Sequence, residues 1–400
     1  MDCRGKKGNY RGKYNMKKII NFFKTMIYKI IYNIKPNKNI WIFSSTDNER
    51  YNYNSKYLFE YVLYNEEHIH PYFVINDDLL RKKLQSKYGE DFFIETKTKS
   101  GIKKVLSGGV WFTSAGLPLY GLNLNKKRLI VNLWHGVPLK KITLMENKVS
   151  KLKKYYFRKI FSQNYSYILT TSKNLIPIME ESFGVESKIV KVWGQPRNDC
   201  LFKNINKEIL YDLFINLPQY KKLILYAPTY RDDGETRIFP FEDYNKDELE
   251  KFLEENKTII FIRTHLDEST SVEKYLGKRV LFLNENIIED IMEILSVFDI
   301  LITDYSSIYI DFLLLNKPLI FIPYDKKKYL NERGFNFEYD KVTPGYKPKD
   351  MREFFMYLNT IFNGIDKFEN DRQKINKYFN EVNSLCSQNI CSKIKNINNM

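Results

Sequence analysis

Histidine and cysteine are scarce in this chain, four of each among 400 residues. Cys3, Cys200, Cys386 and Cys391 form no CxxC pair, and no histidine lies close enough to complete a zinc-finger pattern. That excludes a zinc ribbon and makes free cytosolic thiols the expectation. Long apolar runs are missing as well. The first residues carry Lys and Arg but no apolar stretch with a small-residue cleavage site, so no signal peptide is expected. No run of about 18 apolar residues marks a spanning helix. Helix-turn-helix, RRM and finger signatures are absent, which leaves no specific nucleic-acid reader. Acidic residues are the minority, 48 against 64 Lys and Arg, for a net charge of +16. Such an excess attracts polyanions, whether nucleic acid, an anionic leaflet or a phosphate-rich substrate, and charge alone does not choose among them.

What is present is ample apolar content, 43%, and a length that suggests about two domains at roughly 100–200 residues each. Residues 17–35 place Ile19, Phe22, Phe23, Met26, Ile27, Ile30, Ile31 and Ile34 on one half of a helical wheel. Lys17, Lys18, Lys24, Lys29 and Lys35 share the other half with Asn21, Thr25 and Asn33, and Pro36 ends the pattern. The charged breaks forbid spanning. A basic amphipathic helix of this kind suits the headgroup plane of an anionic membrane, although packing on its own domain is the plainer alternative.

Beyond Pro36, short apolar runs alternate with helical patterns. Strands are expected at 39–45, 70–76, 110–115, 128–134, 166–172 and 188–194, then at 222–230, 258–265, 279–284, 299–305 and 318–323. Helices are expected at 54–66, 77–88, 148–161, 174–183, 247–255, 287–298 and 306–315. Apolar strands separated by helices indicate βαβ units and parallel sheets covered on both faces. The expected division is a basic, disordered to amphipathic-helical membrane-associating segment over 1–38, Rossmann-like domains over 39–200 and 201–375, and a helix or tail over 376–400.

Ligands of such sheets collect at the carboxyl ends of strands, and the chemically capable residues fall there. His135 and Gly136 follow one strand, Arg231 follows another, and Thr264 and His265 end a third. Asp304, Ser306 and Ser307 follow a fourth and open a helix, where free N–H groups suit a phosphate and where ordinary capping is the simpler explanation. Taken together, "NLWHG" (132–136), "GQPRND" (194–199), "YAPTYRDD" (226–233), "IRTHL" (262–266) and "LITDYSSIYIDFLLLNKPLIFIPYD" (301–325) resemble the CDP-glycerol glycerophosphotransferase family of teichoic acid synthesis. "ERGFNFEYDKVTPG" (332–345) continues the likeness, which covers about residues 39–350.

The resemblance implies a GT-B-like α/β fold, two Rossmann-like domains with parallel sheets facing across a cleft. It further implies CDP-glycerol as donor, CMP as leaving group and a membrane-anchored, lipid-linked glycan or polyol-phosphate acceptor; the amphipathic segment and a basic run further along the chain add the expectation of a peripheral place on the cytoplasmic face of the membrane. The chemistry needs a base for the attacking hydroxyl and positive groups for the diphosphate. His135 is assigned as base, with Gly136 allowing close approach of substrate, and a packed structural histidine is the competing explanation. His265 and Arg231 are assigned to the diphosphate, His265 also to the leaving CMP. Arg263 alternates with His265 and ranks lower. Ser306 and Ser307 are assigned to phosphate. Asp311, one helical turn on, is placed to reach the glycerol hydroxyls or to order the His and Arg groups. Asn198 and Asp199 are expected near the interdomain linker, with Arg197 as an active or merely exposed charge. Thr264 and Asp304 complete the substrate-binding set. No metal or other cofactor is expected.

From Lys140 to Lys159 the chain carries Lys140, Lys141, Lys148, Lys151, Lys153, Lys154, Arg158 and Lys159, interrupted by one acid, Glu146. Lys140, Lys141, Lys151, Lys153 and Lys154 are assigned to acceptor or membrane contact, with a solvated helix face as the alternative. Three rivals remain open at this point: a CDP-ribitol or other CDP-polyol enzyme for a capsule, a sugar-nucleotide GT-B enzyme, and a non-enzymatic nucleic-acid-binding protein.

Overall fold

The computed structural model describes residues 23, 25–28, 30–229, 231, 236–264 and 272–399. Its strands are β1 (Asn37–Ser44), β2 (His70–Val74), β3 (Phe93–Ile94), β4 (Gly108–Thr113), β5 (Leu129–Asn132), β6 (Tyr167–Thr170) and β7 (Val190–Val192), followed by β8 (Lys222–Ala227), β9 (Thr258–Ile262), β10 (Val280–Phe282), β11 (Ile300–Thr303) and β12 (Leu319–Phe321). They form two sheets, ordered β3-β2-β1-β4-β5-β6-β7 and β10-β9-β8-β11-β12, and every described strand pairing is parallel. The fold is α/β and GT-B-like, as expected from the alternation. Parallel strands are covered by helices on both faces, so their sequences run apolar without a polar alternate. β9 is accordingly buried at every position, TIIFI.

The chain divides into two compact units. The first comprises the described parts of 1–135, 148–197 and 385–400; the second comprises 136–147 and 198–384. This departs from the expected boundaries in two places. Residues 136–147, which follow the His-Gly pair, fold with the second unit. The helix Cys386–Asn399 is no separate tail: Ile390, Cys391 and Ile394 enter the first core alongside Trp41, Phe43, Phe59 and Phe112, and Lys395 pairs with Glu66 at 2.8 Å. The second core gathers Ile224, Tyr226, Ile260, Ile262, Ile302 and Ile320 from its sheet with Phe354 and Leu358 of the helix Met351–Phe362.

One expected helix is not formed. Residues 287–298 make two short 3-10 turns, Ile291–Glu293 and Leu295–Val297. The carbonyls of Ile288 and Glu289, which a helix would use, accept hydrogen bonds from the Arg263 guanidinium instead, at 2.7 and 3.0 Å. Of the amphipathic segment 17–35, residues 17–22, Lys24 and Lys29 lie outside the described residues; Phe23, 25–28 and 30–32 are helical. Phe23, Ile27, Ile30 and Ile31 are exposed while Thr25 is buried. Among the described residues no helix is long and apolar enough to cross a membrane. Cys200, Cys386 and Cys391 are buried and form no disulfide among the described residues.

Candidate active site

In the first unit the sheet reverses its winding between β1 and β4, the place where such sheets hold ligands. Ser44 ends β1, Ser114 follows β4, and Ser55 links them: its Oγ donates to the Ser44 carbonyl at 2.7 Å and its N–H to Ser114 Oγ at 2.8 Å. His135 reaches this junction. Its Nδ1 lies 2.9 Å from the Ser114 carbonyl oxygen. A carbonyl only accepts, so Nδ1 carries the proton and Nε2 is left as the bare acceptor. Tyr53 stacks on the imidazole with centroids 5.0 Å apart, and Trp134 lies against it at 4.0 Å. Burial in this aromatic setting lowers the His135 pKa to about 4; the Ser114 carbonyl opposes the shift and the Arg197 charge adds to it. The ring is neutral at pH 7.

The loop around His135 is strained and pinned. Trp134 has φ +54° and Tyr53 has φ +59°, a left-handed conformation that costs a bulky residue roughly 1–2 kcal/mol. Gly136, at φ +144°, continues the turn where a side chain would be disfavoured. Asn54 holds the loop in place. Its Nδ2 donates to the carbonyls of Leu133 (3.1 Å) and Trp134 (2.8 Å), and its Oδ1 accepts from the Arg197 N–H at 3.1 Å. Arg197 Nη1 donates to the His135 carbonyl at 2.9 Å. Arg197 is therefore a buried positioning residue and not a surface charge. Asn54, Tyr53 and Ser114 escaped the sequence reading because they lie far from His135 along the chain. Only the helix expected from residue 54 hinted at them.

The second sheet reverses between β8 and β11. The loops leaving those strands are locked together. Asp304 Oδ1 accepts from the Thr229 and Tyr305 N–H groups, and Oδ2 takes Arg231 Nη2 at 2.8 Å. Arg231 also forks onto Asp325 through Nε (2.8 Å) and Nη2 (2.9 Å), and its Nη1 donates to the Thr229 carbonyl. Tyr305, Tyr324 and Tyr329 surround the guanidinium, their centroids 5.0–5.1 Å from it. Burial disfavours this cation, but the hydrogen bonds to Asp325 and Asp304 outweigh that and hold Arg231 protonated.

Arg231, expected to meet the diphosphate, is bonded to two carboxylates, Asp304 and Asp325. Asp304, placed in the substrate-binding set, is 2% exposed and bonded at both oxygens, which ties the two loops together. Ser307 sits at the start of the helix Ile308–Phe312 but makes no capping bond. No described residue bonds to the hydroxyl of Ser306 or Ser307, so both half-buried side chains keep their hydrogen-bonding capacity. Asn198 is fully buried with neither amide atom meeting a described partner. Thr264 and Asp311 are buried within the second unit, and Arg263 is occupied by four carbonyls. His265 lies outside the described residues.

The lysines separate into two groups. Lys151 and Lys154 are exposed and Lys153 is half-buried on the short helix Lys151–Tyr156, where Leu152 and Tyr155 are exposed beside them. Lys140 and Lys141 belong to the other unit. They are half-buried in the second unit, Lys141 N–H bonding the Gly334 carbonyl at 3.1 Å. Among the described residues no group of three or more His, Cys, Asp or Glu is placed to hold a metal ion.

Residues 26–396 match the model of the CDP-glycerol:poly(glycerophosphate) glycerophosphotransferase family. The chain belongs to this family. It is 28% identical over 403 residues to the teichoic acid glycerol-phosphate transferase of Staphylococcus aureus, an alignment covering 96% of this chain and 99% of that one. To the teichoic acid poly(glycerol phosphate) polymerase of Bacillus subtilis it is 27% identical over 339 residues, 80% of this chain but only 43% of the polymerase. The chain thus spans less than half of one relative and nearly all of the other. Its fold is shared with the solved structure of a variant of the wall teichoic acid polymerase TagF, at a TM-score of 0.75, 22% identity and 97% coverage of both chains.

Proposed function

We propose that this glycerophosphotransferase-family chain moves glycerol phosphate from CDP-glycerol to a hydroxyl of a membrane lipid-linked acceptor and releases CMP, in the synthesis of teichoic acid or a related surface polymer. The observation that carries the assignment of the base is the fixed tautomer of His135, with Nε2 unprotonated in a neutral ring. Nε2 takes the acceptor's hydroxyl proton. The oxygen attacks the glycerol-bearing phosphorus, the bond from that phosphorus to the bridging oxygen breaks, and CMP departs with the bridging oxygen. A resting pKa near 4 makes a weak base, but the negative donor favours the imidazolium and strengthens the base when substrate is present. Ser306, Ser307 and Asn198 supply hydrogen bonds to phosphate or polyol, and His265 assists the leaving CMP. No metal is required.

Attachment to the membrane rests on two features of the first unit: the exposed Phe23, Ile27, Ile30 and Ile31 of the N-terminal helix, and the exposed Leu152 and Tyr155 set among Lys151, Lys153 and Lys154. Each basic residue near an anionic leaflet contributes about 1 kcal/mol. The deciding experiment incubates the protein with CDP-glycerol or CDP-ribitol, a defined lipid-linked acceptor, and EDTA in a parallel arm. CMP release from CDP-glycerol, unchanged by EDTA, is expected. Release from CDP-ribitol alone would transfer the donor assignment, and sizing the product would separate one added unit from many.

A further inference from the structure

The segment 136–147 is strapped to the second unit along its length. Lys140 bridges Phe335 as an antiparallel pair, and Asn336 N–H bonds the Leu139 carbonyl at 2.9 Å. Asn336 Nδ2 then grips the carbonyls of Pro138 and Lys140, at 2.7 and 3.0 Å. The backbone of Lys140 is therefore fixed from both sides, and its side chain is delivered to the locked loops at the β8/β11 reversal. There Nζ lies 5.7 Å from the Tyr329 ring centroid. The charges acting on it are Asp304 from the turn after β11, Arg231 from the stretch after β8, and Arg333 just beyond the helix Lys326–Glu332.

We propose that Lys140 is a donor-binding residue, its ammonium taking a phosphoryl oxygen of the anionic substrate next to Asp304. Two observations point there. No described residue accepts a hydrogen bond from Nζ or pairs with it, its one described interaction being with the Tyr329 π-face, and three donors on a largely desolvated ammonium are available. The carboxylate whose charge acts on Lys140, that of Asp304, is already bonded at both oxygens to Thr229, Tyr305 and Arg231. The cation expected of Arg231 is thus supplied from a different stretch of chain, by a group with no competing anion in its grip. This inference rests on the CDP-glycerol reading above.

The titration of Lys140 gives a signature that a structural lysine would lack. Burial lowers its pKa to about 8, Asp304 opposing and Arg333 and Arg231 assisting. An arriving diphosphate would raise it again, so donor binding near pH 8 takes up a proton. The experiment is calorimetry of CDP-glycerol binding at pH 7 to 9.5, in buffers of different ionisation enthalpy, on wild type, Lys140→Gln and Lys140→Arg, with CMP release from the wild type as control. Wild type should take up a proton and bind progressively more weakly above pH 8. Lys140→Gln should bind roughly 10- to 100-fold more weakly at pH 7, the effect of losing a charged hydrogen bond, and show no proton uptake. Lys140→Arg should retain affinity within several-fold and lose the alkaline decline, which a misfolded variant could not do. Wild type that turns over CDP-glycerol while Lys140→Gln binds it equally well, with the same proton uptake, overturns the assignment of Lys140. Wild type that neither binds nor turns over CDP-glycerol overturns the donor reading and this inference with it.

Discussion

The two strand-end junctions are built on opposite electrostatic plans. Around His135 the immediate partners are a serine carbonyl and two aromatic rings, and burial keeps the ring neutral with one nitrogen committed and the other bare. Around Arg231 charge is concentrated and satisfied, one guanidinium shared between two carboxylates inside a ring of tyrosines. The first arrangement leaves a reactive atom available. The second uses up its charged groups to fix the shape of two loops. A residue that looks chemically powerful in sequence can therefore be architecture, and a lone imidazole can be the reagent.

Substitutions should separate the two plans. The largest effect belongs to His135→Gln: CMP release should fall about 10²- to 10⁴-fold, the range for losing a general base, while CDP-glycerol binding and thermal stability hold. Near-normal turnover would remove His135 from the role. Next comes Arg231→Leu, which leaves Asp304 and Asp325 facing each other without their cation. Urea unfolding should show a loss of about 3–5 kcal/mol, in contrast to His135→Gln. A variant of full stability that merely binds donor poorly would return Arg231 to the ligand. Asn54→Ala abandons the carbonyls of Leu133 and Trp134 and should cost about 1–3 kcal/mol in stability, with kcat falling more than KM rises. The smallest readout is spectroscopic. Nitrogen-15 NMR should find His135 as the neutral Nδ1-H tautomer throughout pH 5.5 to 7.5. Its folded pKa lies below the unfolded 6.5, so its stabilising contribution is complete above about pH 6.5 and is lost as pH falls toward 4. An imidazolium signal at pH 6 would contradict the desolvated site.

The fold was largely legible because parallel strands buried on both faces leave apolar runs that helices and loops do not imitate. β3, two residues long, is too short to leave such a trace. The helix expected over 287–298 failed for a reason no local pattern carries, since Arg263 claims the carbonyls it needed. At the site, His135 could be found from its strand-end position. The carboxylate partners of Arg231 were hidden for the same reason as Asn54. Asp325 is 94 positions from Arg231 and Asn54 is 79 positions from Leu133, so pairing was invisible until the chain was folded. Lys140 was grouped with Lys151, Lys153 and Lys154 because a run of lysines reads as one surface, whereas the chain passes from the second unit to the first between Asn147 and Lys148.

The return of the helix Cys386–Asn399 to the first core sets an order of events during translation. Ile390, Cys391 and Ile394 leave the ribosome only after every strand of both sheets. The N-terminal sheet therefore waits, with part of its hydrophobic face uncovered, while the entire second sheet is synthesised and free to fold. The region made first is the last to be completed.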